Sequence, residues 1–265
     1  MNIFPKKSLG QNFLLDKKVI KEIVDIGNIS KNSTVIEIGP GTGSLTEEIL
    51  KKKPKKFIAI EKDHELYLKL KKKFSSEVEF INQDVLQINW DNYFYENCLI
   101  FGNLPYNISA KILIDWIRLN NLNKQFKKLI LMFQKEVADR IIADVNSSKY
   151  GRLTILTNWK LNVKKIMDID PKKFFPKPKV QSSLIYLEPK NNFFHFQNSK
   201  NLEKVTDIFF QNKRKMIKKP LNILFKNSSK IVNKLNLDDN FRPQNIDPIT
   251  FFKISKEYED ENSLN

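Results

Sequence analysis

The sequence predicts an α/β fold, a seven-stranded sheet with helices on both faces, followed by a small all-helical domain. Three observations carry this. From residue 34 to about 187, short β-branched runs alternate with longer amphipathic stretches, the pattern of strands joined by crossover helices. A glycine-rich turn separates the first such strand from the helix after it. Beyond Pro189 a polar stretch follows, and from Leu202 to Tyr258 the apolar spacing is helical only.

Taken in order, residues 35–38, 57–60, 78–81, 99–101 and 129–133 read as strands, and 44–52, 63–74, 109–118 and 135–144 as the helices between and after them. Residues 153–156 and 180–187 read as two further strands that complete the sheet. The expected division is a first domain over 1–189, a linker over 190–199 and a helical domain over 200–265. A chain of 265 residues, 41% hydrophobic, can bury a core without covalent staples and is not a disordered sequence.

One cysteine, Cys98, excludes a disulfide framework and a cysteine-based zinc site, and two histidines leave little for a metal centre, so no metal is expected. Residues 1–7 contain no apolar leader and no run of about eighteen apolar residues occurs, so the expectation is a cytoplasmic chain with no membrane partner. The net charge of +16 suits a polyanionic partner, although 41 of the 46 basic residues are Lys, as compositional drift also produces. Distribution says more: residues 160–230 hold 17 Lys or Arg against 5 acids, so +12 of the charge lies in about a quarter of the chain.

The turn Glu37-Ile38-Gly39-Pro40-Gly41-Thr42-Gly43 follows a strand and opens a helix, so backbone can approach a ligand at the carboxyl end of the sheet. Its Gly-x-Gly-x-Gly spacing, with Ser44 next and no Lys-Ser/Thr after it, fits neither the dinucleotide fingerprint nor a nucleotide P-loop. Glu61 and Asp84 fall where the next two strands end. Placed there, Glu61 can accept both hydroxyls of a ribose and Asp84 the exocyclic amine of an adenine. Each also reads as a solvated loop acid, and the turn as a tight corner without a ligand; together they describe a site for an adenosine-bearing molecule.

Asn103-Leu104-Pro105-Tyr106 after the fourth strand is the most specific short motif. The N6 amine of adenine is a poor nucleophile because its lone pair is delocalised into the ring. The Asn103 side-chain carbonyl and the Leu104 backbone carbonyl, held by the φ lock of Pro105, can take its two hydrogens and free the lone pair. Tyr106 can stack on the base. Taken alone, the tetrapeptide also reads as a strand-ending turn with a packed tyrosine.

Across most of its length the chain resembles the KsgA-type ribosomal RNA adenine dimethyltransferases. The resemblance rests on Ser8-Leu9-Gly10-Gln11-Asn12-Phe13-Leu14, Glu37 to Gly43, Asn103 to Tyr106 and Gln134-Lys135-Glu136-Val137-Ala138-Asp139-Arg140. It continues in Tyr150-Gly151-Arg152-Leu153, Phe174-Phe175-Pro176-Lys177-Pro178-Lys179-Val180 and Asn212-Lys213-Arg214-Lys215. It implies a class I Rossmann-like methyltransferase fold, S-adenosylmethionine as cofactor with S-adenosylhomocysteine as product, and dimethylation of N6 on two adjacent adenosines in the 3′-terminal hairpin loop of 16S rRNA in the 30S particle, by a monomer that also serves small-subunit biogenesis.

By the same resemblance Asn12, Leu14, Gly39, Glu61, Asp84 and Asn103 line the cofactor, joined by Gln11, Glu37, Gly41, Gly43 and Val85. Asn103, Leu104, Pro105, Tyr106 and Phe174 hold the target base, with Phe174 as the aromatic wall opposite Tyr106. Lys177, Lys179, Lys213, Arg214, Lys215, Lys218 and Lys219 are the expected RNA contacts. Two positions depart from the family pattern: Gln181 stands where an Asp is usual, and Lys177 where Pro is common. The alternatives are an Erm-type enzyme acting on 23S rRNA and a non-catalytic assembly or nucleic-acid-binding factor on the same fold. The intact Asn103–Tyr106 motif and the Glu61/Asp84 pair argue against the latter.

Overall fold

A computed structural model describes residues 5–74, 76–93, 95, 97–211 and 213–263. Asn212 of the Asn-Lys-Arg-Lys motif and residues 1–4 lie outside the described residues. The chain divides into two compact units, residues 1–138 with 162–189, and 139–161 with 190–265.

The first unit opens with β1 (Phe13–Leu14) and α1 (Lys17–Gly27), then alternates β2 (Thr34–Ile38), α2 (Ser44–Leu50), β3 (Lys56–Glu61), α3 (His64–Phe74) and β4 (Glu79–Asn82). It continues through β5 (Cys98–Asn103), α4 (Ser109–Ile117), α5 (Leu122–Gln125), β6 (Lys128–Gln134) and the start of α6 (Lys135–Ile141). The strands β7 (Leu161–Ile169), β8 (Phe174–Phe175) and β9 (Ser182–Pro189) complete it. Seven strands form one sheet in the order β4-β3-β2-β5-β6-β9-β7; β2 to β6 run parallel and β9 pairs antiparallel with β6. β1 and β8 form a separate antiparallel pair.

Seven strands were expected, but one is a different segment. Residues 153–156 lie in a helix, α7 (Arg152–Lys160), and the seventh strand is β7. α7 is buried on nearly every side, so its Leu-Thr-Ile-Leu-Thr run has no polar face to betray the helical period. β7 is an edge strand whose Lys164 and Lys165 break the alternation a half-buried strand would show. α1 was not anticipated either. Its signals are ordinary: Asp16 caps it by accepting from Val19 N at 3.0 Å, Ile20, Ile23, Val24 and Gly27 make one buried face, and Asn28 ends it in the left-handed conformation. Gly27 lets α1 lie directly on the sheet, since a Cβ there would sit 2.4 Å from Phe101 of β5.

The second unit contains α7, α8 (Lys200–Gln211), α9 (Lys218–Leu224), α10 (Ser228–Leu235) and α11 (Pro248–Ser263). The segment 139–161, read from sequence as part of the first domain, belongs to it. The segment 190–199 is no free linker: Trp159 Nε1 donates to Phe194 O at 2.7 Å, and the Phe194 ring packs 5.5 Å from that of Phe252. Among the described residues no helix is long and apolar enough to cross a membrane.

β2 is buried at every position, Glu37 included, which is 2% exposed. Thr46 Oγ1 of α2 donates to Glu37 Oε2 at 2.7 Å. Burial pushes the Glu37 carboxyl up to about 8, with a smaller push from Glu61. The folded state therefore holds a proton here that the unfolded chain has lost between pH 4.5 and 8, so this group's contribution to stability falls as pH rises through that window. Glu37→Gln keeps an acceptor for Thr46 and removes the titration. Its Tm relative to the unsubstituted chain should rise from pH 5 to pH 8.5, by an amount worth on the order of a few kcal/mol. A Tm difference that stays constant across that range in thermal melts would contradict the buried, protonated Glu37.

Candidate cofactor and target-base site

The sheet reverses its strand order between β2 and β5. From β2 the chain runs outward through β3 and β4, then returns to β5 on the other side, so the segments leaving the carboxyl ends of β2 and β5 diverge. Such a switch point leaves a crevice. Here it is a cleft with roughly 1250 Å³ of empty space, its open mouth included, walled by the residues after β2, β3, β4 and β5 and by residues 8–14.

The register Ile38↔Gly102 sets the glycine turn against the end of β5. Gly39, Gly41 and Gly43 all have φ between 60° and 82°, the left-handed region that suits glycine. Their reasons differ. A Cβ at Gly39 would come no nearer than 4.0 Å to its closest neighbour, Asn103 O, so the space above it is open to a ligand. At Gly41 a Cβ would meet Phe13 at 2.8 Å, and at Gly43 it would meet Leu70 at 2.8 Å and Phe74 at 3.0 Å. Gly43 is thus required for packing against α3, and it is not on the cleft wall.

Glu61, the last residue of β3, is 6% exposed and has no cationic partner among the described residues. Its carboxylate accepts from Gly41 N at 3.2 Å and Asp63 N at 2.8 Å. Burial outweighs these bonds and raises its pKa. Each oxygen retains a lone pair, so the group is fixed in place yet able to accept from a diol. Asp84 caps the turn after β4, with Leu86 N on Oδ1 at 3.0 Å and Lys62 Nζ on Oδ2 at 2.8 Å. Against the opposing effect of burial, Lys62 and the Leu86 amide hold its pKa below the usual carboxylate value.

At the end of β5, Asn103 Nδ2 donates to Asn12 O at 2.6 Å, which fixes the side-chain amide. Among the described residues, neither Asn103 Oδ1 nor Leu104 O accepts a hydrogen bond. Both residues line the cleft. The Tyr106 hydroxyl pairs with Ser182 at the start of β9, and burial raises the phenol pKa. A ring tethered at its hydroxyl keeps its face as the surface it presents.

Of the residues singled out from sequence, Gln11, Asn12, Leu14, Glu37, Gly39, Gly41, Glu61, Asp84, Val85 and Asn103 to Tyr106 converge on this cleft. Phe174 does not line it: strand alternation turns Phe174 into the core beside its partner Leu14, at 4% exposure, and leaves Phe175 at 55%. Lys177 and Lys179 are exposed in the first unit, and Arg214, Lys215, Lys218 and Lys219 are exposed in the second. Lys213 is half-buried, with Nζ donating to Ser148 O at 2.9 Å. Three participants escaped the sequence reading. Lys62, Asp63 and Ser182 make their contacts through the fold; Asp63, read as the first residue of the helix 63–74, stands one residue ahead of it and caps it.

The family model of the ribosomal RNA adenine dimethylases matches residues 4–260. A protein of Pelagibacter ubique (strain HTCC1062), "Ribosomal RNA small subunit methyltransferase A", is 54% identical over 98% of this chain and 99% of its own length. The crystal structure of a dimethyladenosine transferase from Plasmodium falciparum superposes with a TM-score of 0.78 at 28% identity, covering 94% of this chain and 98% of that one. The 23S rRNA methyltransferase ErmE reaches a TM-score of 0.67 at 21% identity, over 94% of this chain and 99% of its own, a likeness of fold alone. With a matching family model over nearly the whole chain and a relative 54% identical over 98% of it, this protein belongs to the ribosomal RNA adenine dimethylase family and is an S-adenosylmethionine-dependent rRNA adenine methyltransferase.

Proposed function

We propose that the chain dimethylates N6 of two adjacent adenosines in the 3′-terminal hairpin loop of small-subunit rRNA, acting as a metal-free monomer on the 30S subunit or its precursor in the cytoplasm. The observation that carries this reading is the pair of unengaged acceptors, Asn103 Oδ1 and Leu104 O, at the edge of a cleft that already holds Glu61 and Asp84. The small-subunit assignment leans on the relative from Pelagibacter ubique named above.

The residues present fit the cofactor. Glu61 meets the ribose hydroxyls, Asp84 the adenine amine, the open space over Gly39 admits the chain close to backbone, and Asn12, Leu14 and Val85 close around it. Gln11, Glu37 and Gly41 shape the same wall. When bound, S-adenosylmethionine supplies an electrophilic methyl group. The target amine enters with its two hydrogens on Asn103 Oδ1 and Leu104 O, which rotates the nitrogen lone pair out of conjugation and toward that methyl. Pro105 holds the Leu104 carbonyl in this attitude. Tyr106 stacks on one face of the base.

The nitrogen turns acidic only after it has gained the methyl and a positive charge, so its proton passes to water without a strong base. Catalysis then rests on positioning and on dipoles fixed before the reaction. An adenine in structured RNA must first be unstacked, at a cost of a few kcal/mol. Lys177, Lys179, Lys213, Arg214, Lys215, Lys218 and Lys219 offset this by holding phosphates around the loop.

Transfer of labelled methyl groups to undermethylated 30S subunits, compared with 50S subunits and with 23S rRNA, tests the reading. N6,N6-dimethyladenosine in the 30S digest alone is expected, and label confined to the 50S or 23S sample would replace it with the Erm-type activity. Asn103→Ala should lower kcat by roughly 100-fold or more while 30S binding persists, as loss of one pre-aligned polar group at a reacting centre does. Lys215→Ala with Lys219→Ala should flatten the salt dependence of binding by about 0.7 to 0.9 in log–log slope for each lost phosphate contact. An unchanged slope in filter-binding titrations would remove those two lysines from the RNA contact.

A further inference from the structure

The segment before β1 is held across the cleft by a contact that no motif announces. Asp63 stands between β3 and α3, 3% exposed. Its Oδ1 takes Lys6 Nζ at 2.7 Å and its Oδ2 takes Gln11 Nε2 at 2.9 Å. Lys6 N donates back to Gln11 Oε1 at 2.8 Å, so Lys6, Gln11 and Asp63 form a closed ring of hydrogen bonds. The same carboxylate caps α3 through Glu65 N at 3.1 Å. Its backbone N–H is the one that holds Glu61 Oε1 at 2.8 Å. One residue therefore ties the segment 6–11 to the turn that carries the ribose-binding carboxylate.

At its other end the segment is anchored by Asn12 O on Asn103 Nδ2 at 2.6 Å and by the pairing of Phe13 and Leu14 with β8. Between the two anchors Ser8, Leu9, Gly10, Gln11 and Asn12 form one wall of the cleft. Ahead of β1 the strap has only a single 3₁₀ turn, at Lys7–Leu9, so its position depends on what grips its ends. Of the two partners Lys6 can be replaced with the smaller effect on the fold, since its side chain is 43% exposed, whereas Asp63 is buried and also caps α3.

We propose that Asp63 is a positioning residue for the methyl-transfer reaction: through Lys6 and Gln11 it latches the strap of residues 6–14 over the cofactor cleft and so sets how fast cofactor and product leave. The proposal rests on the reading of this cleft as the cofactor site. Without the latch the strap stays joined at Asn12 but swings at its outer end. The charge-assisted bond of Lys6 to a buried carboxylate is the strongest single contact there. The acceptors Asn103 Oδ1 and Leu104 O do not touch the latch, so the chemical step should be spared while retention suffers.

Lys6→Met and Asp63→Asn separate these effects, with Lys6→Arg as the variant that should restore the pair. The readouts are calorimetric affinity and stopped-flow dissociation of S-adenosylhomocysteine, hydrogen exchange over residues 8–14, Tm, and kcat and KM for S-adenosylmethionine on 30S subunits. For Lys6→Met the expected result is an affinity loss and faster dissociation of about tenfold, typical of one charge-assisted bond, with a matching rise in KM. Exchange over residues 8–14 should accelerate, with Tm and kcat close to those of the unsubstituted chain and Lys6→Arg near normal. Asp63→Asn should share the affinity loss and add a fall in Tm. Unchanged affinity and exchange in Lys6→Met, or a fall in kcat at unchanged affinity, would overturn the latch. No binding of S-adenosylhomocysteine to the unsubstituted chain would overturn the cofactor reading itself, and the latch with it.

Discussion

The parallel pairing of β2 with β5 is the constraint on which the site depends. Both neighbours of β2 run parallel to it, yet the chain departs to β3 on one side and arrives at β5 from the other, so the backbone beyond Ile38 and beyond Gly102 separates. A crevice at that point follows from connectivity alone. What the residues add is its lining. The shared register places Gly39 and Asn103 face to face across the gap, so the glycine turn and the Asn103 amide are neighbours because two strands are in step.

A second consequence is electrostatic. Glu37 and Glu61 are both buried at the carboxyl end of the sheet, and neither has an ammonium or guanidinium partner among the described residues. A buried carboxylate without a cation is costly unless backbone or hydroxyl donors meet it. The fold answers in two ways. Glu37 takes the Thr46 hydroxyl and keeps a proton, whereas Glu61 takes the Gly41 and Asp63 amides and remains a receptor with lone pairs to spare. Asp84, nearer solvent, has Lys62 instead. Three acids within one cleft thus differ in donors and depth: burial raises the pKa of Glu37 and of Glu61, whereas at Asp84, against the opposing effect of burial, Lys62 and the Leu86 amide lower it.

Legibility in the sequence follows the same division between local and long-range causes. The strands β2 to β6 and the glycine turn were readable because each is specified within a few residues: apolar runs, then a Gly-x-Gly-x-Gly corner. The tetrapeptide Asn103 to Tyr106 was readable because its chemistry lies in residue types at fixed spacing. α7 was not, since a helix buried on nearly every side loses the amphipathic period, and β7 was not, since an edge strand carries lysines where a central one would carry valines. Ser182 is invisible from sequence for a different reason: it serves Tyr106 from 76 residues away, and nothing in its own neighbourhood records that. The same holds for Lys6 and Asp63, 57 residues apart. The role of Gly43 was misjudged for a related reason, because its lack of a side chain makes room for Leu70 and Phe74 of a later helix and not for a ligand.

The two sides of the site are built from different parts of the chain, and this shapes how each can vary. Glu61 and Asp84, the groups assigned to the cofactor, belong to β3 and β4 with their turns, which arise early and pair in parallel. The side proposed for the target base draws on β5 but is steadied by a later segment, since Ser182 at the start of β9 holds Tyr106. β9 enters the sheet antiparallel against β6, with Gln134 facing Ser182 in the register, so the hydroxyl that restrains Tyr106 is positioned by the strand that follows the Pro-rich segment 176–178. A change in that segment would therefore reach Tyr106 through Ser182. The departures at Lys177 and Gln181 fall in this stretch, where Gln181 O also accepts from Lys135 N at 2.9 Å through its backbone, a contact that any residue type at 181 can make. Gln181 therefore meets a structural demand that is indifferent to its side chain, and Lys177 adds an exposed charge to the segment between β8 and β9.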